Sequence, residues 1–439
     1  MQLYKFIDLF SGCGGLSLGL SLAGLEGVFA IERDPMAFDT FKANFLSERA
    51  KPINNFSWPS WLEQRAHLID EFYAEYKDKL NQLQGQIHVI AGGPPCQGFS
   101  SAGRRRADDP RNLLFMEYVK VVKELRPSIV VLENVPGMRV IYNSKTNQQI
   151  EDKAKSTSFY TQLEESLDSV GYNVKAKIID SSYYGVPQKR FRLIVVGVKK
   201  EDLHKLKGGI SSIFDMLESS RVKQLDDLGL PEQVSVQDAV SDLEITDKAM
   251  RACDDPYSPP GFQEAVYLVP VSHYQKLMHA GCRNNEMNSM RLARHRDDIK
   301  ERFARILAEC PRGLRMNTEY RDRYGLKKHR TYPLAPDVPS PTLTTLPDDV
   351  LHYLEPRILT VREYARIQSF PDWFEFKGKF TTGGDRRVRE CPRYTQVGNA
   401  VPPLLARAIG SAIIMALDEM FRLPICENYE HHQLQQMIV

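Results

Sequence analysis

The sequence predicts an α/β protein: a mostly parallel sheet covered on both faces by helices, with a smaller, irregular domain placed late in the chain. Three observations carry this. Short apolar runs alternate with helix-like stretches from Tyr4 to Val198. Four of the early runs lead to a chemically distinctive residue: Asp8, Glu32, Cys96 and Glu133. Near Lys200 the alternation gives way to proline and glycine clusters, and it returns at Arg357.

The first run, Tyr4 to Phe10, enters the glycine turn Ser11-Gly12-Cys13-Gly14-Gly15 and a leucine series from Leu16 to Leu25, so it opens a strand-turn-helix unit. A second strand, Gly27 to Ile31, ends at Glu32, and a helix is expected from Pro35 to Phe45. Residues 50–84 are polar and broken, with helical character around Leu62 to Leu80. The third strand, Ile87 to Ala91, leads into Gly92-Gly93-Pro94-Pro95-Cys96-Gln97-Gly98-Phe99-Ser100. A basic loop, Arg104 to Arg111, precedes a helix through Arg126, and the strand Ile129 to Leu132 stops at Glu133-Asn134-Val135. Phe159 to Val170 reads as helix, and Val174 to Ile179 and Arg192 to Val198 read as strands. Right-handed crossovers then place Asp8, Glu32, Cys96 and Glu133 along one edge of the sheet. The expected organisation is residues 1–200 as the first part of the α/β domain, 201–352 as a separate, loop-rich domain, and 353–439 as a return segment, the part in which the α/β pattern resumes. A helix is expected in the middle part only around Asp297 to Leu307, and the return segment carries the strongly apolar helix Pro403 to Phe421.

Bulk properties narrow the class. A chain of 439 residues with 26% charged residues is ordinary for a protein with a large core. It has no amino-terminal basic segment followed by an apolar one, so a cytoplasmic protein is expected. The seven cysteines are scattered with no CxxC pair, which suggests neither a disulfide framework nor a zinc cluster. Net charge is only +2, yet Gly281 to Tyr332 holds 14 Lys or Arg against 7 Asp or Glu. Such a local excess steers toward phosphates, or else marks a solvated, internally paired face.

Three segments suggest chemistry. The turn after Phe10 lacks GxGxxG spacing and a GxxxxGK[ST] loop, but with Glu32 at the next strand end it suits an adenosine cofactor without pyrophosphate. A glycine turn with no ligand is the alternative. Cys96 as a thiolate can add to C6 of a pyrimidine when an acid such as Glu133 protonates or hydrogen-bonds N3. Addition at C6 makes C5 nucleophilic toward a sulfonium methyl group. A structural cysteine and a helix-capping glutamate are the competing assignments. Gln188, Arg190 and Arg192 share one face of a strand if the alternation is regular, and two guanidinium groups there could hold phosphate and orient Glu133.

These segments resemble the C5-cytosine DNA methyltransferases of bacterial restriction–modification systems. The matching residues are Asp8 to Gly15, Gly93 to Ser100, Glu133-Asn134-Val135 and Gln188-x-Arg190-x-Arg192. Two more are Arg362-Glu363-x-x-Arg366-x-Gln368-x-Phe370-Pro371 and Gln396 to Pro403, and all six occur in the family's order. The resemblance implies a Rossmann-like core dependent on S-adenosyl-L-methionine, with a target-recognition domain at 201–352. It implies that Phe10, Ser11, Gly12, Gly14, Gly15, Glu32, Pro94, Leu113, Asn399, Ala400 and Val401 line the cofactor site. Cys96 is then the nucleophile, Glu133 engages N3 and the exocyclic amine, and Arg190 and Arg192 support the pocket. Gln97, Ser100, Arg104, Arg105, Arg106, Arg294, Arg296, Arg323, Lys327 and Lys328 are the implied DNA contacts. The implied partner is double-stranded DNA, with a cognate endonuclease acting on the same site and the enzyme working as a monomer. The family's acid for the adenine amine has no clear counterpart, Asp70 being a candidate only. A C5-cytosine RNA methyltransferase and a DNA-binding protein with a silent core are the rival classes. The segment of about 150 residues argues against the first, and the presence of Cys96, Glu133 and Arg192 against the second.

Overall fold

The computed structural model describes residues 4–47, 56–95, 114–140, 158–282, 287–326, 328, 330–383, 386 and 389–421. Its strands in the first half are β1 (Lys5–Leu9), β2 (Glu26–Ile31), β3 (Val89–Gly92), β4 (Ile129–Asn134), β5 (Tyr172–Asp180), the two-residue β6 (Gln188–Lys189) and β7 (Phe191–Lys199). All but β6 form one sheet in the order β2-β1-β3-β4-β7-β5. The first four run parallel, and β7 is antiparallel to both β4 and β5. The carboxyl ends of β1 to β4 therefore share one edge, as expected.

Helices α1 (Gly15–Ala23), α2 (Pro35–Phe45), α3 (Ile69–Gln82), α4 (Leu114–Leu125), α5 (Phe159–Ser169) and α6 (Ser212–Asp227) follow in turn. Beyond them come α7 (Val236–Val240), α8 (His273–His279), α9 (Asp297–Glu309), α10 (Thr318–Arg323), α11 (Val361–Ile367), α12 (Arg393–Asn399) and α13 (Pro403–Phe421). Strand alternation sorts the core into two layers. Ile7, Ile90, Val130 and Leu132 pack with Phe72, Tyr118 and Leu163 of α3, α4 and α5. Phe6, Val89, Ala91 and Val131 pack with Leu16 and Leu20 of α1, Ile213 of α6 and Leu405 of α13. Burial on both faces explains why these strands read as continuous apolar runs.

Small residues set the contact between α1 and α13. A Cβ added at Gly19 would lie 2.3 Å from Ala406 Cβ, and one at Gly410 would lie 2.7 Å from Ala23 Cβ. The backbones approach this closely only because the side chains are absent. The stretch from Arg393 to Phe421 is apolar and long enough to cross a bilayer, yet 78% of its most apolar window is buried inside the protein. It is a core element.

The sequence placed the end of the α/β pattern near Lys200, and the structure corrects this. Residues 212–227 form the 16-residue α6, which packs on α13 and on Ile194 and Val196 of β7. Its pattern is obscured because it buries polar Gln224, whose Nε2 donates to Tyr184 O (3.0 Å) and Leu404 O (2.9 Å). Past α6, residues 228–352 contain short helices and the two-stranded pairs β8 (Met250–Ala252) with β9 (Gln263–Ala265), β11 (Ser340–Pro341) with β6, and β10 (Tyr332–Pro333) with β12 (Val350–Leu351).

Buried ion pairs join this segment to α11. Arg366, fully buried, pairs with Asp372 at 2.5 Å and with Asp242 at 3.1 Å. Arg357 spans Glu355 (2.6 Å) and Glu363 (2.8 Å), and Glu363 closes a capping box with Thr360. The Arg362-Glu363-x-x-Arg366 motif thus holds the return segment to its neighbours. Removing one member of such a pair costs about 3–5 kcal/mol, because the other charge stays buried.

Candidate active site

The glycine turn at the end of β1 is wound through left-handed backbone, with φ of 65° at Phe10, 57° at Gly12 and 98° at Gly14. This bends the chain so that Gly12 N–H donates to Glu32 Oε2 at 2.9 Å, while Asp34 N–H donates to Oε1 at 2.8 Å. Burial pushes the Glu32 carboxyl above its ordinary range, and these two N–H groups oppose the shift. Each oxygen keeps a lone pair for a further donor. Ser11 Oγ is buried with no hydrogen-bond partner among the described residues. Behind the turn, Asp8 Oδ2 accepts from Ser17 Oγ at 2.6 Å, and burial pushes the Asp8 carboxyl up to about 7.

The return segment closes the same place. A Cβ at Gly15 would lie 2.3 Å from Val401 O and 3.3 Å from Ala400 Cβ, so these predicted cofactor residues are brought together. Asn399 is exposed at the end of α12. Cys13 belongs to the packing: buried, its thiol donates to Gln396 O at 3.7 Å, and burial pushes its pKa up to about 12. His67 N–H donates to Glu32 O at 2.8 Å, laying the 62–68 loop beside Glu32, whereas Asp70 is exposed in the first turn of α3.

At the neighbouring strand ends, Asn134 Nδ2 donates to Pro94 O at 3.0 Å, and a Cβ at Gly93 would lie 3.6 Å from Glu133 Oε2. Glu133 Oε1 is 2.5 Å from Arg192 Nε, and both side chains are almost wholly buried. Burial lowers the pKa of Arg192, and the facing carboxylate opposes that shift. The pair fixes where the Glu133 carboxyl points, beside the segment that leads to Cys96.

Gln188, Arg190 and Arg192 share a buried face, with Lys189 and Phe191 exposed, as expected, but Arg190 has unexpected partners. The strand is interrupted at this residue: its N–H donates to Asp180 Oδ1 at 3.2 Å, β6 pairs with β11, and only β7 joins the main sheet. Its guanidinium is buried and donates to Leu343 O (3.3 Å), Gly398 O (3.0 Å) and Ala400 O (3.1 Å). It clamps the return segment rather than holding phosphate. Gln188 does similar work, donating to Gln368 Oε1 at 2.9 Å and accepting from Leu343 N–H at 2.9 Å.

Cys96, Gln97, Ser100, Arg104, Arg105, Arg106, Leu113 and Lys327 lie outside the described residues. Of the other expected DNA contacts, exposed Arg296 is 3.0 Å from Asp298, and Arg323 is 3.2 Å from Glu319. Lys328 pairs with Asp348, and Arg294 is exposed over the Phe262 ring.

A parallel sheet with a glycine turn, an anchored acidic residue and a buried Glu–Arg pair on one edge has the architecture of an S-adenosylmethionine-dependent methyltransferase core. Comparison with known proteins agrees. A prophage-encoded structure from E. coli, described as a DNA modification methyltransferase, superposes with a TM-score of 0.64 at 27% identity, covering 94% of this chain and 99% of that one. The Dnmt2 methyltransferase of S. pombe shares the fold at 17% identity and a TM-score of 0.50, covering 95% and 99%. In sequence, the chain is 30% identical over 423 residues to the Type II methyltransferase M.DdeI of Desulfomicrobium norvegicum, covering 93% of this chain and 88% of the relative. It is 30% identical over 414 residues to the Type II methyltransferase M1.HphI of Haemophilus parahaemolyticus, covering 93% and 86%. Residues 4–415 match the family model for C-5 cytosine-specific DNA methylases. The chain belongs to the C-5 cytosine-specific DNA methylase family and is a DNA cytosine-5-methyltransferase.

Proposed function

We propose that this enzyme methylates C5 of a cytosine flipped out of a specific double-stranded DNA sequence, through a covalent bond between Cys96 and C6. The observation that carries the reading is the buried Glu133–Arg192 pair set beside Gly93 and Pro94, two residues before Cys96. On the same edge, the left-handed turn, the anchored Glu32 carboxylate and the unpartnered Ser11 hydroxyl suit a cofactor with a ribose diol and no pyrophosphate. Phe10, Ser11, Gly12, Gly14, Gly15, Glu32, Pro94, Leu113, Asn399, Ala400 and Val401 would hold S-adenosylmethionine there. When bound, it supplies an electrophilic methyl group.

The remaining work falls to the chain. The base leaves the stack because C5 and C6 are shielded within a duplex. Glu133 holds N3 and the exocyclic amine, and Arg192 fixes the carboxyl. The Cys96 thiolate adds to C6, which loads electron density onto C5 for methylation. Loss of the C5 proton to a base then reforms the ring double bond, breaks the S–C6 bond and frees Cys96. Gln97, Ser100 and Arg104 to Arg106 would contact the DNA, and the recognition module would lie within residues 201–352. The enzyme acts as a monomer in the cytoplasm and protects host DNA from a cognate endonuclease of the same specificity.

The test is transfer of labelled methyl from S-adenosylmethionine to unmethylated duplex DNA, followed by conversion sequencing. Label at C5 of one cytosine in a repeated short motif is expected. Label appearing in tRNA and not in duplex DNA would overturn the reading.

A further inference from the structure

We infer that Arg294 reads a guanine edge in the recognition sequence, an inference that rests on the DNA-methylating function proposed above. The observation is a chain of cation–ring contacts running from the site outward. Arg393, the buried first residue of α12, lies 4.2 Å from the centroid of Phe380. Arg291 lies 3.8 Å from Phe380 and 4.1 Å from Phe262. Arg294 lies 5.6 Å from Phe262. Exposure rises along the chain: Arg393 and Phe380 are buried, Arg291 and Phe262 half-buried, and Arg294 exposed.

The inner end is fixed. Arg393 makes a two-pronged ion pair with Asp255, at 2.6 Å and 2.9 Å, and donates to Gly378 O at 2.9 Å and Ser289 Oγ at 3.0 Å. Asp255 lies in the loop joining β8 and β9, and α12 ends at the cofactor-lining Asn399. The hairpin that bears Phe262 is thus bolted to the helix that lines the site. Leu292 N–H donates to Gln263 O at 2.8 Å, which holds the arginine-bearing segment against the same hairpin.

The outer end is free to work. Among the described residues Arg294 forms no ion pair, whereas Arg296, Arg323 and Lys328 each face an acid. Gly261, at φ +84°, gives Arg294 its room: a Cβ there would stand 3.3 Å from Nη1. A guanidinium supported on an aromatic ring loses less freedom when it binds, and its planar fork matches O6 and N7 of guanine. A phosphate contact positions the duplex but carries no sequence information.

Arg294→Ala separates the two, because losing a base contact relaxes one position whereas losing a phosphate contact weakens all sequences alike. Wild-type and variant enzymes are compared on duplexes carrying the methylated motif and on duplexes with each base pair of it replaced in turn. The inference expects discrimination at one G·C pair to fall by about tenfold to a hundredfold in the variant, with the other positions unchanged. A uniform loss across all duplexes, or no change, overturns it while leaving the methyltransferase reading intact. Absence of duplex methylation by the wild type overturns both.

Discussion

At the sheet edge and in α11 and α12, arginines are buried against fixed partners, whereas Arg296 and Arg323 sit in solvent beside nearby acids. Arg190, Arg366 and Arg393 belong to the first group, held by carbonyls or by carboxylates. Arg296 with Asp298 and Arg323 with Glu319 belong to the second. A buried cation without its partner is costly, so a core arginine is tied to one arrangement. An exposed pair is worth about 1 kcal/mol or less and can exchange its acid for a phosphate at little cost. The first kind holds the sheet edge and the return segment in place, and the proposed duplex binding would draw on the second.

The sharpest break in this comparison is Cys96→Ala, expected to abolish methyl transfer while duplex binding in a gel-shift assay persists. Next is Arg190→Met, which strips three buried carbonyls of their donor. Urea unfolding is expected to show a loss on the order of 3 kcal/mol. A variant as stable as wild type but inactive would instead make Arg190 a group of the pocket.

A smaller effect concerns Asp8. Burial, aided by the charge of Glu32, raises its carboxyl to about 7 in the folded protein, against roughly 3.9 in an open chain. A raised folded-state pKa means that the folded state binds the proton more tightly. The resulting stability is complete below about pH 4 and is lost as pH rises through about 7. Asp8→Asn keeps a carbonyl for Ser17 and is expected to gain on wild type, by on the order of 2 kcal/mol, between about pH 5 and pH 8. A constant difference across that range would show that Asp8 carries no such linkage. The smallest effect is Arg323→Ala: stability within about 1 kcal/mol of wild type, with the salt slope of DNA binding reduced by about one.

The core was legible because strands buried on both faces must be apolar. Glu32 and Glu133 stand where such runs stop, and the structure places both on one edge of the sheet. The glycine turn was legible because φ of 57° and 98° at Gly12 and Gly14 favours that residue. The alternation of Gln188, Arg190 and Arg192 was legible and holds, but it does not register that the Arg190 guanidinium donates to carbonyls of Leu343, Gly398 and Ala400, far away in the chain. Helix α6 escaped because Gln224 is buried by hydrogen bonds, which periodicity does not register. Helix α8 did leave a signal, the Ser272–Gln275 capping box, whose spacing is visible in the chain. The contacts linking Arg294 to Arg393 join residues 99 positions apart, and no local pattern encodes them.

The account turns on the thiol at Cys96. A duplex carrying 5-fluorocytosine at the methylated position blocks the final elimination, because fluorine cannot leave C5 as a proton does. With S-adenosylmethionine present, the wild-type enzyme is expected to form a protein–DNA adduct that survives denaturation, and mass spectrometry is expected to place it on Cys96. An enzyme that methylates the ordinary duplex at C5 but leaves the fluorinated one without an adduct, or carries the adduct on another residue, would contradict the assignment.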